Sequence, residues 1–454
     1  MQDTVNWMHL WNFGPMKTDS FTEPEVLNPD LAACLSITPE NPVRWIVVGQ
    51  LLDAKNRRVL KNAHLIYNRE RILHVGTEEP HAEFLNGLHA PDLSLLDYMA
   101  MPGLIEGHSH CFLEGAELVA DKRAEYQKQD PQTLYEKAEA RLRILARLGV
   151  IAMRDGGDKD RVGLRLSRLT ASTDCPPFTT RVFSPGAGIH RQGRYGSFFG
   201  SPLEGHASID SCVQARVAEG ADHIKIVPTG IINFAKGQVI AKPQFSVEEI
   251  QQFKKAAHAL QKHVMAHASG DIGVGYAIEG GVDTVEHGFF ITNDQLDRMR
   301  DKGISWVPTF TPVQEQLDHA ALMGWTGETL DHLKKILENH ARSLQKAIAI
   351  GVNVLVGSDS GSCGVAHGTG LLYEMELLEN AGMPTIDILC QATHGNNEVL
   401  TKGQPYGSLE TGFKPRFIIT KNNPLETVRN LIPGRWVVFD GEAENSVAVS
   451  LEHL

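Results

Sequence analysis

The stretch Met101-Pro-Gly-Leu-Ile-Glu-Gly-His-Ser-His110 reads as a buried apolar strand that delivers two imidazoles at its end. Side chains two residues apart on a strand share a face, so His108 and His110 can grip one divalent ion from a single strand end. By itself His-x-His is a weak signal, because histidines at strand ends are commonly surface polar residues. Its meaning depends on what stands downstream.

From about residue 100 to 400, short β-rich runs alternate with helical segments, the pattern of parallel strands joined by crossover helices. Eight such runs follow one another: Met101 to His110, Val150 to Gly157, Thr179 to Gly186, His223 to Gly230, His263 to Ser269, Thr284 to Gly288, Ser305 to Phe310 and Val354 to Ser360. Eight repeats predict an α/β fold with a closed (β/α)8 TIM barrel. The helices between them carry their own punctuation. Asp130 and Pro131 open one as N-cap and N1, and Gly149 closes it. Ser246 with Glu249 and Thr292 with Gln295 make capping boxes, and Gly303 ends the second of these helices.

Ahead of the barrel, Arg44 to Asp53 and Ala63 to Gly76 read as strands joined by polar turns, and Phe417 to Thr420 and Trp436 to Gly441 are again β-type. Both chain ends are therefore expected to build one small β-sandwich domain that the barrel interrupts. The predicted plan is an N-terminal extension over 1–42, the small β-domain over 43–97 plus 405–454, and the barrel over 98–404.

At 454 residues, 42% hydrophobic and 22% charged, the chain has the composition of a globular enzyme large enough for one big core and a smaller one. A formal charge of −12 without a Lys/Arg cluster argues against a nucleic-acid groove, and the partner expected is a small-molecule substrate. The six cysteines (Cys34, Cys111, Cys175, Cys212, Cys363, Cys390) are scattered, with no Cys-x-x-Cys pair, which suits reduced thiols in the cytoplasm. No signal-peptide pattern and no long apolar run occur, so neither secretion nor membrane spanning is expected. Trp7, Leu10, Trp11 and Phe13 suit packing on the body of the protein or on a neighbouring subunit of a homo-oligomer.

Catalytic groups of such barrels sit at the C-terminal ends of the strands. The first predicted strand ends in His108 and His110, the fourth carries Lys225, the fifth ends in His267, the sixth gives His287 and the eighth gives Asp359. Singly, a strand-end histidine is usually a hydrogen-bonded structural residue, a lysine snorkels, and an aspartate before Ser-Gly is often a cap. Together, four histidines, one lysine and one aspartate at strand ends read as a metal site.

These residues resemble the amidohydrolase superfamily, and within it the Xaa-Pro dipeptidase (prolidase) and imidazolonepropionase-like branch, over nearly all of the chain after residue 42. The resemblance is carried by Pro102 to His110, Met265-Ala-His-Ala-Ser-Gly270, Gly281-Val-Asp-Thr-Val-Glu-His-Gly288 and Gly357-Ser-Asp-Ser-Gly361, with the stretch from Glu374 through Ala392-Thr393. It implies that His108, His110 and Asp359 bind the more buried of two divalent ions, expected to be zinc, that His267 and His287 bind the second, and that Lys225 bridges them. A lysine bridges cations only as a carbamate formed with carbon dioxide, since an ammonium would repel them. Two ions about 3.5 to 4 Å apart would hold a bridging hydroxide at neutral pH and polarise the substrate carbonyl. Asp359 is then the expected catalytic proton shuttle from water to the leaving nitrogen.

The loop Gly186-Ala-Gly-Ile-His-Arg-Gln-Gly-Arg-Tyr195 is expected at the barrel mouth as a substrate loop. His190 resembles the family's carbonyl-polarising histidine, although the surrounding residues depart from Gly-Gly-His-Gly, and Arg191 or Arg194 would clamp a substrate carboxylate, with Tyr195 beside them. Arg416 stands where the family usually has an aspartate, with an effect expected on packing and none on catalysis.

The activity implied is hydrolysis of a C–N amide-type bond in a dipeptide or N-acyl amino acid. The loop Thr229 to Lys236 is more apolar than a pocket for charged peptides needs, so a neutral amide, phenylurea or carbamate is the alternative substrate. A single-metal deaminase of a heterocycle would carry a glutamate three residues after His267, where this chain has Gly270. A non-catalytic relative would have lost ligands, and all six residues are present.

Overall fold

The computed structural model describes residues 30–446 apart from 86, 402 and 433. The expected apolar arm (Trp7, Leu10, Trp11, Phe13) and the end of the small β-domain beyond 446 lie outside the described residues.

Strands β1 (Arg44–Asp53), β2 (Arg58–Tyr67), β3 (Ile72–Gly76) and β4 (Leu93–Pro102) come first. Next, β5 (Leu104–Ser109), β6 (Val150–Asp155) and β7 (Arg181–Phe183) form a parallel three-stranded sheet. A six-stranded parallel sheet takes β8 (Gly188–His190), β9 (Gly200–Pro202) and β10 (Ile224–Ile226) and, after a β11/β12 hairpin (Ile232–Asn233, Gln238–Val239), β13 (Val264–Ala268), β14 (Thr284–His287) and β15 (Ser305–Val307). Finally β16 (Arg416–Thr420), β17 (Arg435–Phe439) and β18 (Glu442–Asn445) return to pair with β4, giving one seven-stranded sheet in the order β18-β17-β16-β4-β1-β2-β3. Both chain ends therefore share a sheet, and its pairing is a single ladder.

The stretch expected as one strand from Met101 to His110 is divided between two sheets. Met99 to Pro102 pair with β16, whereas Leu104 onward pairs with β6. Gly103 stands at the crossing, where an added Cβ would lie 2.2 Å from Cγ2 of Ile151, so the chain passes between sheets where no side chain fits.

Two other expected strands are shortened because side chains take up ladder amides. The third keeps only Arg181–Phe183, and the backbone N–H of Ser184 donates to the Asp222 carboxylate at 2.9 Å. In the eighth segment the N–H of Val356 donates to Oδ1 of Asn396 and that of Ser358 to Oε1 of Glu106, at 3.2 and 2.9 Å. What remains there are isolated parallel bridges, Trp306↔Val354 and Ser109↔Ser360.

The expected helix ends are present. Asp130 accepts from the N–H groups of Gln132 and Thr133, both capping boxes close, and Gly149 and Gly303 sit in the left-handed region. Arg416 pairs with Asp440 through contacts of 2.6 and 2.9 Å, inside the seven-stranded sheet. All six cysteines are free thiols, and among the described residues no helix is long and apolar enough to cross a membrane.

The main core is unusual in burying neutral histidines away from the strand ends. His340 stacks on Phe289 at 4.0 Å and bonds the Pro308 carbonyl, and His367 bonds the Leu113 carbonyl. Burial pushes both down to about 3, chiefly because an imidazolium there would lose its hydration. An unfolded histidine takes up its proton near pH 6.5, so between that pH and about 3 the unfolded chain binds more protons than the fold. Stability is complete above this window and is lost as pH falls through it, by up to about 1.4 kcal/mol per pH unit for each such group. The urea midpoint is expected to drop continuously below pH 6.5, and a His340→Gln variant should show a shallower drop; an unchanged slope would contradict the assignment.

Candidate metal centre

The parallel strands present their C-terminal ends on one side, and the candidate ligands meet there. His108, His110 and Asp359 are buried, with ligand atoms all within 4.8 Å of one another. Oδ1 of Asp359 lies 3.5 Å from Nε2 of His108 and 3.6 Å from Nε2 of His110. The backbone couples the same residues, since the N–H of Asp359 donates to the His108 carbonyl at 2.7 Å. Nζ of Lys225, 1% exposed, is 3.5 Å from Nε2 of His108. Nε2 of His287 and Nδ1 of His267 face each other at 2.8 Å, and the His108 and His287 rings are 5.1 Å apart. All six sequence-predicted strand-end residues are thus brought into one cluster.

The electrostatics of this cluster suit a cation. Burial, followed by the charge of Lys225, holds His108 well below the usual imidazole range and takes His110 and His267 to about 3, so each ring is neutral with a free lone pair. Burial also lowers Lys225 to about 8 and raises Asp359 to about 7. Oδ1 of Asp359 and Nε2 of His267 are buried without a hydrogen-bond partner among the described residues, a costly state that coordination would relieve. Three neutral imidazoles and a carboxylate with open lone pairs therefore fit divalent metal ions.

Backbone strain is present at the same place. His287, Thr309 and Asp359 have φ of 67°, 49° and 58°, in the left-handed region that β-branched and bulky residues avoid. Such residues cost roughly 1–3 kcal/mol each and persist only where surroundings over-determine them.

Around these residues stands a layer that sequence reasoning missed. Oε2 of Glu286 lies 2.9 Å from Nδ1 of His108, outside hydrogen-bonding geometry, and Glu286 takes a bidentate contact from Arg154 at 2.8 Å on both oxygens. Arg154 also donates to the Gly107 carbonyl and to Thr284. Glu106 accepts from the N–H groups of His108 and Ser358 and from the Ser358 hydroxyl, which locks the first segment to the last. Oγ1 of Thr309 is 2.8 Å from Nδ1 of His287, and the Gly157 carbonyl is 3.1 Å from Nδ1 of His110. The legible signal was a charged residue within an otherwise apolar parallel strand, which must find a partner once buried.

A cavity of about 340 Å³ opens beside His110, His267, His287 and Asp359. Its walls are largely apolar, from Phe198, Phe199, Phe234, Phe289, Ile231 and Val313. Of the expected substrate loop, Tyr195 lines this cavity and lies tilted against His267, with centroids 5.3 Å apart. Arg191 and Arg194 do not line it. Arg191 is held by Glu204 and Glu249 and Arg194 by the Lys242 carbonyl, so acceptors on the loop's outer side draw both guanidinium groups away. His190 is buried, with Nδ1 on the Arg191 carbonyl and Nε2 unpartnered. The cation that does line the cavity is Arg123.

Residues 99–439 match the amidohydrolase family. Ochratoxinase of Aspergillus niger is 27% identical over 237 residues, 50% of this chain and 46% of that protein, so the chain spans about half the length of this curated relative. Among solved structures, a Xaa-Pro dipeptidase with methionine bound in its active site superimposes with a TM-score of 0.74 at 24% identity, covering 88% of this chain and 99% of that one. The A. niger ochratoxinase structure gives 0.70 at 20% identity over 88% and 95%, and phenylurea hydrolase B gives 0.70 at 17% over 90% and 98%. At these identities the structural likeness is one of fold.

Proposed function

Because the chain belongs to the amidohydrolase family, whose members are hydrolases, we propose that it cleaves a C–N amide-type bond in a dipeptide or N-acyl amino acid at the strand-end cluster. The observation that carries this reading is the convergence of His108, His110, Lys225, His267, His287 and Asp359 beside one cavity, with unpartnered lone pairs on Asp359 and His267. His108, His110 and Asp359 would hold one divalent ion and His267 and His287 another, with Lys225 as a carbamate between them. Zinc suits this imidazole-rich set. When bound, such ions lower the pKa of water and polarise a carbonyl.

The chain's own residues supply the rest. Asp359 receives a proton and delivers it to the leaving nitrogen, with its Oδ2 steadied by the Ser362 hydroxyl at 2.8 Å. Nδ1–H of His190 donates to the Arg191 carbonyl at 2.7 Å, which leaves Nε2 a buried lone pair outside the cavity lining, so His190 would polarise a substrate carbonyl only with both ring nitrogens protonated. The phenylalanine walls exclude water from the reacting bond. Those walls also favour a second reading, hydrolysis of a neutral amide, phenylurea or carbamate.

The closed (β/α)8 barrel and the β-sandwich belong to the same proposal. The barrel is supported by the Val354–Ser360 segment, which bridges β15 on one side and β5 on the other, and by the Asp222 N–H to Ser184 carbonyl bond beside β7. The sandwich is supported by an apolar cluster enclosed jointly by β1, β2, β4, β16 and β17, which requires that sheet to curl around its inner face.

The test is a hydrolysis screen of zinc- or manganese-loaded protein against dipeptides, N-acyl amino acids, phenylureas and carbamates. Amine release supports the proposal and names the class, whereas ammonia released from heterocycles would replace it with a deaminase. Thr309→Val probes the supporting layer. With the partner of His287 Nδ1 gone the ring loses its fixed tautomer, and affinity for the ion assigned to His267 and His287 is expected to fall about 10- to 100-fold by competitive chelation. An unchanged affinity would show that this contact does not orient a ligand.

A further inference from the structure

We infer that Arg123 is the specificity residue of the cavity, and that it selects substrates carrying a carboxylate next to the scissile amide together with an apolar or aromatic body. The inference rests on the amide-hydrolase reading above and deepens it.

Arg123 sits on the Ala120–Tyr126 helix, which no strand-end motif includes, and its side chain lines the cavity on the Asp359 side. Three backbone carbonyls hold it there. Nη1 donates to Glu114 and Glu117, and Nη2 donates to Gly361 at 2.8 Å, two residues beyond Asp359. A guanidinium has five N–H donors, so Nε–H and one Nη2–H are left without a partner among the described residues. No carboxylate among the described residues lies within 4.0 Å of it, because the Glu114 side chain is taken by Arg141 at 2.9 Å. The result is a half-buried fixed cation with spare donors, unneutralised, in a largely apolar cavity whose walls include Phe198, Phe199, Phe234 and Phe289.

That combination disfavours a neutral substrate. An apolar ligand without an anion would bury the guanidinium against hydrocarbon and leave its free donors unpaired, a cost of the kind that makes a missing polar group discriminating. A carboxylate would take those donors in charge-assisted bonds. In an N-acyl amino acid the carboxylate is one carbon away from the scissile nitrogen, so binding it beside Gly361 holds the amide near Asp359. The side chain of that amino acid then falls among Phe198, Phe199 and Phe289, whose faces suit an aromatic ring. The three carbonyl bonds keep Arg123 from swinging to the anion wherever it binds, so it sets position as well as charge.

The experiment compares matched ligands that differ only in charge, using metal-loaded wild-type protein and the Arg123→Met and Arg123→Lys variants. Binding of 3-phenylpropanoate against 3-phenylpropanamide is read by calorimetry, and hydrolysis of N-acetylphenylalanine against its C-terminal amide is read as kcat and KM. Wild type should prefer the carboxylate in both assays, Arg123→Met should lose that preference about 10- to 100-fold with the change mainly in KM, and Arg123→Lys should keep part of it. A purely structural anchor would lower turnover of both substrates together and leave the ratio alone. An unchanged ratio in Arg123→Met, equal affinity of wild type for the two ligands, or no binding of either overturns the inference. Carboxylate-selective binding abolished in Arg123→Met, with neither substrate cleaved, would uphold the role of Arg123 and sink the hydrolase reading.

Discussion

Replacing Lys225 with alanine is expected to lower kcat roughly 1,000-fold or more, which corresponds to about 4 kcal/mol of transition-state stabilisation, while the metal-free protein melts no lower than metal-free wild type. As an unmodified ammonium, Lys225 is a liability. It is 1% exposed, 3.5 Å from His108, and among the described residues no carboxylate lies within ion-pair distance of it. Deleting it from the metal-free fold removes packing but also removes a buried cation that has no direct ion pair, and the two effects offset. In the metal-loaded protein the balance reverses. Carbon dioxide adds to the neutral amine, a proton leaves, and the resulting carbamate is a two-oxygen anion where cations are to be held. Burial favours that neutral amine by lowering Lys225 to about 8. Alanine should therefore cost metal stoichiometry along with turnover, and millimolar acetate should restore part of both by supplying the missing carboxylate oxygens. Full activity in Lys225→Ala would exclude the two-ion proposal, and a large fall in the melting point of the metal-free variant would make Lys225 a structural residue.

The ligand candidates were legible in sequence because all but Lys225 stand at or next to the end of a short apolar run, and Lys225 is a lone charge inside one, where periodicity and strand length fix which side chain emerges from the sheet. Helix ends were legible for a similar reason: Asp130, Ser246 and Thr292 satisfy amides within a few residues of themselves. What escaped depends on partners far away in the chain. The eighth predicted strand is reduced to bridges because Asn396 and Glu106 capture its amides across 40 and 252 residues, and no local pattern encodes that. The substrate loop was misjudged by the same limit. Four polar residues in a glycine-rich turn gave no sign of which would face inward, and Arg191 and Arg194 were drawn to acceptors from other segments. Arg123 lies in a short, mostly exposed helix, and its bonds to the Glu114, Glu117 and Gly361 carbonyls, all outside that helix, set it at the cavity.

The Arg154 and Glu286 pair separates folding from function in the same centre. An Arg154→Met variant is expected to lose about 3–5 kcal/mol of stability in urea denaturation, the cost of leaving one partner of a buried ion pair uncompensated. Glu286 is 0% exposed, and Arg154 provides its bidentate contact as well as ties to Gly107 and Thr284. Removing both charges, as Arg154→Met with Glu286→Leu, should recover most of that loss, since a buried pair exchanged for apolar groups of similar volume is often neutral in stability. Activity should not return with it. Oε2 of Glu286 is 2.9 Å from Nδ1 of His108, and no other carboxylate among the described residues lies within ion-pair distance of that nitrogen, so without Glu286 the ring lacks the neighbour that orients its Nε2 toward Asp359 and Lys225. The double variant is thus expected to fold near wild-type stability yet bind metal about 10- to 100-fold more weakly. Recovery of both properties would reduce the pair to a packing device, whereas recovery of neither would mean that Gly107 and Thr284 need the guanidinium for the strand ends to hold their register.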